Sequence, residues 1–255
     1  MSNSPLVSYT KLSPNHSGQR THAVDRITPH CVVGQCSVET LGNIFAPTSR
    51  QASCQYGIGV DGRVGMYVEE KNRSWCSSSN ANDQRAITIE CASDATHPYA
   101  FNDTVYAKLI ELCTDICKRY GKTKLLWFGD KTKTLNYEPA SNEMVLTVHR
   151  WFANKSCPGD WMYARMGDLA SKVTAKLGGS AGGTEKPADN QALYRVQTGA
   201  FSNKTNADAM LQKVKDAGFD TYMVKVDNLY KIQVGAFSKK ANADLEVSDT
   251  DDDAA

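Results

Sequence analysis

The sequence predicts an α/β fold: a mixed central sheet flanked by helices, followed by a small α+β module. Three observations predict it. Short apolar or β-branched runs (CVVGQ at 31–35, QYGIGV at 55–60, AITIECA at 86–92, KLLWFGD at 124–130) interleave with helix-length segments, a pattern that builds a sheet with helices on its faces. An Asp-Gly pair at 61–62 separates YGIGV from RVGMYVE, the signature of a tight hairpin, so part of the sheet is antiparallel. Composition then breaks at LGGSAGGTEKPADN (177–190), beyond which YRVQTGAFSNKTNAD (194–208) returns as YKIQVGAFSKKANAD (230–244).

Taken in order, CVVGQ is read as the first strand, with His30 behind Pro29 on an extended approach to it. VETLGNIFA (38–46) is read as a short helix. Residues 103–120 place Val105, Leu109, Leu112, Cys113, Ile116 and Cys117 on one face, which predicts an amphipathic helix stopped by Gly121. GDWMYARMGDLASKVTAKLG (159–178) is expected to close the domain as one helix ending at Gly178. Each copy of the C-terminal repeat reads as strand, turn, helix start, with MLQKVKDAGF as a helix and DTYMVKVD as a strand between them. The expected organisation is a catalytic-sized domain over 1–176, a flexible linker over 177–190, a module over 191–245 and an acidic tail over 246–255,.

Totals exclude several classes of function. At 255 residues, with 41% hydrophobic content, one large and one small domain are expected. The 29 basic and 28 acidic residues leave a net charge of +1, which gives no electrostatic case for a nucleic-acid binder. No apolar run reaches the roughly 18 residues a membrane span needs. The first residues, MSNSPLVSYTKLSPNHSG, lack the apolar core of a secretory signal, so the protein is expected in the cytoplasm and, if it acts outside, to leave by another route. The 8 cysteines form no CxxC pair and are expected to be thiols, mostly buried as small apolar groups.

His149, Lys155 and Cys157 sit together in VHRWFANKSCPGD, and His30 stands far upstream in a TPH sequence. Two imidazoles and a thiolate are a donor set for zinc, leaving one position open for a water whose pKa falls to about 7. Each histidine taken singly reads more readily as a structural or surface residue than as a ligand, and the His149–Cys157 spacing is not that of a zinc finger. His16 and His97 read as surface residues, and His22 as a residue near the cleft or on the surface. The four tryptophans, Trp75, Trp127, Trp151 and Trp161, suit either core packing or sugar stacking.

The pieces ITPHCVVGQ, ASCQYGIGVDGRVGMYV, RAITIECASD and VHRWFANKSCPGD, in that order, resemble the type 2 N-acetylmuramoyl-L-alanine amidases. That family shares its fold with peptidoglycan recognition proteins and abounds among phage endolysins. The resemblance implies a Zn2+ ion held by His30, His149 and Cys157, and Lys155 as the stabiliser of the oxyanion. Its expected activity is cleavage of the amide bond between N-acetylmuramic acid and L-alanine in peptidoglycan. The tyrosine that recognition-protein-like members carry is replaced here by Cys54 in the segment SCQY. Tyr56, two residues on, is expected on the same side of the strand. Other amidase branches place a glutamate in an IE pair, which Glu90 matches, so Glu90 is the expected general base; the competing reading is a strand carboxylate paired with an arginine. The C-terminal repeat resembles a SPOR domain, which implies binding to peptidoglycan glycan strands through a ferredoxin-like sheet, here without its second helix and fourth strand. The rival function is a non-catalytic peptidoglycan recognition protein; members of that kind usually lack the cysteine that Cys157 supplies.

Overall fold

The structure, a computed structural model, describes residues 3–178, 194–216 and 221–237. The chain divides into two units, Met1–Thr184 and Glu185–Ala255. In the first, the strands are β1 (Val7–Thr10), β2 (His16–Gln19), β3 (Arg26–Cys31), β4 (Tyr56–Ile58), β5 (Val64–Met66), β6 (Asn72–Ser74), β7 (Ala86–Cys91), β8 (Lys124–Leu126) and β9 (Glu143–Leu146). Its helices are α1 (Val38–Phe45), α2 (Asn80–Arg85), α3 (Asp103–Arg119), α4 (Lys131–Leu135), α5 (Asp160–Tyr163) and α6 (Met166–Lys176). Seven strands form one mixed sheet in the order β1-β5-β4-β7-β3-β9-β8. Only the β4–β5 hairpin, closed around Asp61-Gly62, is antiparallel. The predicted α/β class and mixed sheet are the observed ones.

Two adjacent strands organise the sheet. β3 and β7 pair in register from Arg26↔Ala86 to Cys31↔Cys91. On one face, Ile27, Cys31, Ile87, Ile89 and Cys91 join the core with Leu109, Leu112 and Ile116 of α3 and Leu169 and Val173 of α6. Each fully buried aliphatic side chain there contributes about 1.5–3 kcal/mol. The alternation of side chains along a strand puts Thr28, His30, Thr88 and Glu90 on the other face. Over β4 and β5 that face is covered by α1, and a Cβ on Gly57, the residue opposite Glu90, would lie 2.7 Å from both Leu41 Cδ1 and the Tyr67 ring.

The helix over 103–120 forms as α3, capped by Asn102, whose Oδ1 accepts from Val105 N at 2.8 Å. It ends before Gly121 at φ +67, with Cys113 and Cys117 both buried. All eight cysteines are free thiols.

Three local expectations are corrected. The first central strand is Arg26–Cys31, and Pro29 and His30 lie inside it rather than ahead of it. CVVGQ was the stronger apolar signal, but the ladder belongs to the segment before it. Pro29 is tolerated because β9 pairs with β3 only at Arg26↔Val145 and Ile27↔Leu146, so the donor that proline lacks falls beyond the end of that ladder. The expected helix over 159–178 is two helices, because Arg165 leaves helical geometry at φ −103, ψ 2. Its guanidinium turns back to Trp161, bonding the carbonyl at 3.0 Å and lying 4.0 Å over the ring. Cys54 and Tyr56 do not share a side, because the strand starts only at Tyr56. Cys54 packs with Leu41, Phe45 and Tyr67, whereas Tyr56 belongs to the main core. His149 lies on a single 3-10 turn, His149–Trp151.

In the second unit, β10 (Tyr194–Phe201), β11 (Thr221–Val226) and β12 (Leu229–Phe237) form an antiparallel sheet ordered β10-β12-β11, with α7 (Lys204–Asp216) following β10 in the chain. The two copies of the repeat are thus neighbouring strands, paired from Val196↔Val234 to Phe201↔Tyr230. Residues 179–190 of the expected linker, the missing second helix and fourth strand, and the acidic tail over 246–255 lie outside the described residues.

One buried ion cluster anchors the first unit. Glu70 is 1% exposed, takes two bonds from Arg119 at 2.6 and 2.8 Å and accepts from the Tyr56 hydroxyl at 2.6 Å. That same hydroxyl oxygen accepts from the Ser4 amide at 2.8 Å. Arg119 keeps its bond to Asp115, but removing the carboxylate breaks its two bonds to Glu70 and takes the acceptor from the buried Tyr56 hydroxyl, so Glu70→Ala is expected to cost about 3 kcal/mol, measured as a lowered urea midpoint of the whole chain; an unchanged midpoint would contradict this role.

Candidate metal centre

The site gathers at the C-terminal ends of the parallel strands, where α/β sheets present their ligand-binding edge. β3 delivers His30, β7 delivers Glu90, and the chain after β9 delivers first His149 and then Cys157. His30 and Glu90 are opposite one another in the β3–β7 register. The 3-10 turn at His149 and the loop to Cys157 are tied together by Arg150 N donating to Cys157 O at 3.1 Å.

One ligand atom from each of His30, His149 and Cys157 lies within 4.8 Å of the other two. Cys157 Sγ is 3.2 Å from His30 Nδ1, and the two imidazole rings are 5.1 Å apart. A second group, His30, Cys76 and Glu90, meets the same limit of 4.8 Å and shares His30. Glu90 stands 3.9 Å from His30 Nδ1 and 3.9 Å from Cys76 Sγ. Lys155 and His149 border, with Glu90, a cavity of about 510 Å³. Trp75, Arg50 and Arg73 also line it.

The electrostatics of the site follow from burial. Loss of water pushes the His30 imidazole well below its ordinary pKa, with His149 adding to the effect. His149 is also lowered, by burial and then by the Lys155 ammonium. Both rings are therefore neutral, the form that ligates a metal. Burial, the Cys31 thiol and the Glu90 carboxylate raise the Cys157 thiol well above its usual value; it needs a positive charge alongside to become a thiolate. Glu90 is pushed up to about 7 by burial, against a smaller pull from Arg50. His30 Nε2 and Glu90 Oε2 are buried without a hydrogen-bond partner, which is costly for polar atoms that serve no ligand. Two neutral imidazole nitrogens and one thiol that awaits a cation fit a divalent metal of borderline softness.

Several expectations can be placed. Among the described residues no arginine forms an ion pair with Glu90; the titratable groups beside it are the neutral His30 imidazole and the Cys76 thiol, each at 3.9 Å. His22 is exposed, against Thr21, and does not line the cavity. His16 bonds to Gly18 N and His97 to Asp160. Trp127 stacks on Trp151 and Trp161 packs on Phe101, whereas Trp75 lines the cavity. Ser78, Asp83, Cys76, Arg50 and Arg73 were not anticipated. The one sequence signal for the first two is the polar run SSSNAND (77–83), which reads as a helix cap.

Comparison with known proteins defines the class. The family model of N-acetylmuramoyl-L-alanine amidases matches residues 19–160, and the chain belongs to that family. It is an amide hydrolase acting on peptidoglycan. A SPOR domain model matches residues 190–248. No curated protein matches the chain. Similar solved structures include a mutant endolysin from Bacillus subtilis, at 14% identity over 65% of this chain and 97% of that chain with a TM-score of 0.45. The amidase LysC from Clostridium intestinale URNW is 17% identical over 68% and 96% of the two chains, with a TM-score of 0.42. A selenomethionyl AmpD derivative is 18% identical over 64% and 93%, with a TM-score of 0.45.

The raised Glu90 pKa is also a statement about stability. Between the ordinary 4.5 and about 7 the folded chain keeps a proton that the unfolded chain has released. Stability therefore falls as pH rises through that window, by about 3 kcal/mol in all. His30 acts in the opposite sense, losing stability as pH drops below 6.5. In metal-free protein, Glu90→Gln is expected to raise the melting temperature at pH 8 and to lose that advantage near pH 4. A pH-independent difference between the two proteins would refute the assignment.

Proposed function

We propose that this amidase is zinc-dependent, with the ion held by His30, His149 and Cys157 and catalysis carried by Glu90 and Lys155. The observation behind this reading is the convergence of the two imidazoles and the thiol from three distant segments beside a largely buried carboxylate, one oxygen of which, Glu90 Oε2, has no hydrogen-bond partner. Zinc, when bound, supplies Lewis acidity that polarises a carbonyl and makes water a readier proton donor.

The protein's own groups then have separable tasks. Glu90, titrating at about 7, is matched to a general base near neutral pH. It takes a proton from the attacking water and returns it to the departing amino group of L-alanine. Lys155, on the cavity rim, places its ammonium against the oxygen on which negative charge develops. His149 and His30 stay neutral and so remain available as ligands. The scissile bond joins the lactyl group of N-acetylmuramic acid to L-alanine. The cavity of about 510 Å³ lined by Glu90, His149 and Lys155 is the place where this reading puts the glycopeptide substrate.

The organisation proposed with it is a catalytic domain over 1–176, a linker over 177–190, a wall-binding SPOR-like module over 191–245 and a tail over 246–255. Tethering to glycan raises the local concentration of the bond to be cut. A hydrolase so joined to a wall-binding module suits a lytic role of the phage endolysin kind, held in the cytoplasm until release.

Three measurements test the reading. Elemental analysis of wild type is expected to show near-stoichiometric zinc, with much less in Cys157→Ser. Glu90→Ala is expected to keep its zinc and lose activity on purified cell walls by a factor of roughly 10²–10⁴. Mass spectrometry of the digest is expected to show new free amino termini on L-alanine. Full activity in Glu90→Ala, or in chelator-stripped enzyme, would overturn the proposal.

A further inference from the structure

The loop before α2 reaches across the site and touches His149. Ser78 Oγ lies 2.9 Å from His149 Nε2. To make that contact Ser78 adopts φ +60, a left-handed conformation that a non-glycine residue takes only when its surroundings hold it there.

Those surroundings are built for the purpose. The Asp83 carboxylate, buried on α2, accepts from Cys76 N at 3.1 Å, from Ser77 N at 3.1 Å and from the Ser77 hydroxyl at 2.6 Å. Ser79 caps α2 by accepting from Asn82 N at 3.3 Å. Both sides of Ser78 are thereby fixed. The clamp extends to the segments that carry the imidazoles. Asn82 Nδ2 donates to Ser77 Oγ and to Thr28 Oγ1, each at 3.1 Å. Thr147 Oγ1 donates back to Asn82 Oδ1 at 3.0 Å, and the Thr28 and Thr147 hydroxyls are 2.7 Å apart. The ring closes with one assignment of protons: Thr28 donates to Thr147. Thr28 is two residues from His30 and Thr147 two from His149, so one hydrogen-bonded frame spaces both rings and the serine.

We infer that Ser78 is a positioning residue for His149: its hydroxyl accepts from Nε2–H and so commits Nδ1, with its free lone pair, to the cation. A ligating imidazole has one nitrogen for the metal, and the partner of the other sets tautomer and ring orientation. The Asp83 clamp keeps Ser78 in place whether or not the ion is bound. This inference rests on the metal reading of His30, His149 and Cys157.

The test is zinc affinity, measured on the full chain by competition with a chromogenic chelator, for wild type, Ser78→Ala and Ser78→Gly. Glycine is at ease at positive φ, so Ser78→Gly deletes the hydroxyl while relieving the backbone. Both variants are expected to bind zinc roughly 10-fold or more weakly than wild type, with chelator-treated melting temperatures that do not fall in Ser78→Gly. Nitrogen-15 NMR of zinc-loaded wild type is expected to show the His149 proton on Nε2. Equal zinc affinity in wild type and Ser78→Gly, or a proton on Nδ1, overturns the inference and leaves the metal site standing. A wild type that binds no zinc at all removes the metal reading and this inference with it.

Discussion

The in-register pairing of β3 with β7 is the constraint on which the rest depends. It sets Thr28 beside Thr88 and His30 beside Glu90, so the central rungs of the sheet carry polar groups on one face and isoleucines and cysteines on the other. The apolar face meets α3 and α6 and supplies the burial that holds the domain together,. The polar face is just as dry: Thr28, Thr88 and His30 are all essentially inaccessible to solvent. A one-residue slip between the two strands would exchange the faces. It would place a carboxylate and an imidazole against leucines and strand the aliphatic groups among hydroxyls. Fold and site are therefore specified by the same register.

A dry polar layer is stable only if it is almost fully bonded. Thr88 and Ser74 share the Gln55 carbonyl, and Thr28, Thr147 and Asn82 close on themselves. Asp83 is saturated by backbone amides and a hydroxyl. Against that background His30 Nε2 and Glu90 Oε2, neighbours across β3 and β7 that are both bare, stand out. The same burial that leaves them bare keeps the imidazoles neutral and lifts the carboxylate to about 7.

Much of this was legible in the sequence, for identifiable reasons. The Asp-Gly hairpin and the face of α3 were readable because local periodicity determines both. His30, Glu90, His149, Lys155 and Cys157 were reached through the order of four motifs, which carries more information than any one spacing. What stayed hidden was non-local or broke a local rule. CVVGQ outscores RITPHC as an apolar run, yet the ladder forms on the latter, and its alternation of Ile27, Thr28, Pro29, His30 and Cys31 mirrors that of Ile87 to Cys91. Tyr56 looked available to the site, but its hydroxyl is consumed by Glu70 and Ser4. The run SSSNAND marks a helix cap, but the contact of Ser78 with His149 stayed hidden because it joins residues far apart along the chain.

Pro29 shows how an absent proton shapes the centre. Thr147 N reaches Ile27 O at 3.0 Å, and the following rung would require residue 29 to donate to the Thr147 carbonyl, in the parallel pattern. Proline has nothing to give, so the zipper between β3 and β9 stops there. The chain, released one step early, folds over the tip of the strand instead of running on beside it. His149 is thereby dropped above His30 rather than carried past it, and an imino acid that looks like a defect in a sheet becomes the hinge-pin of its roof.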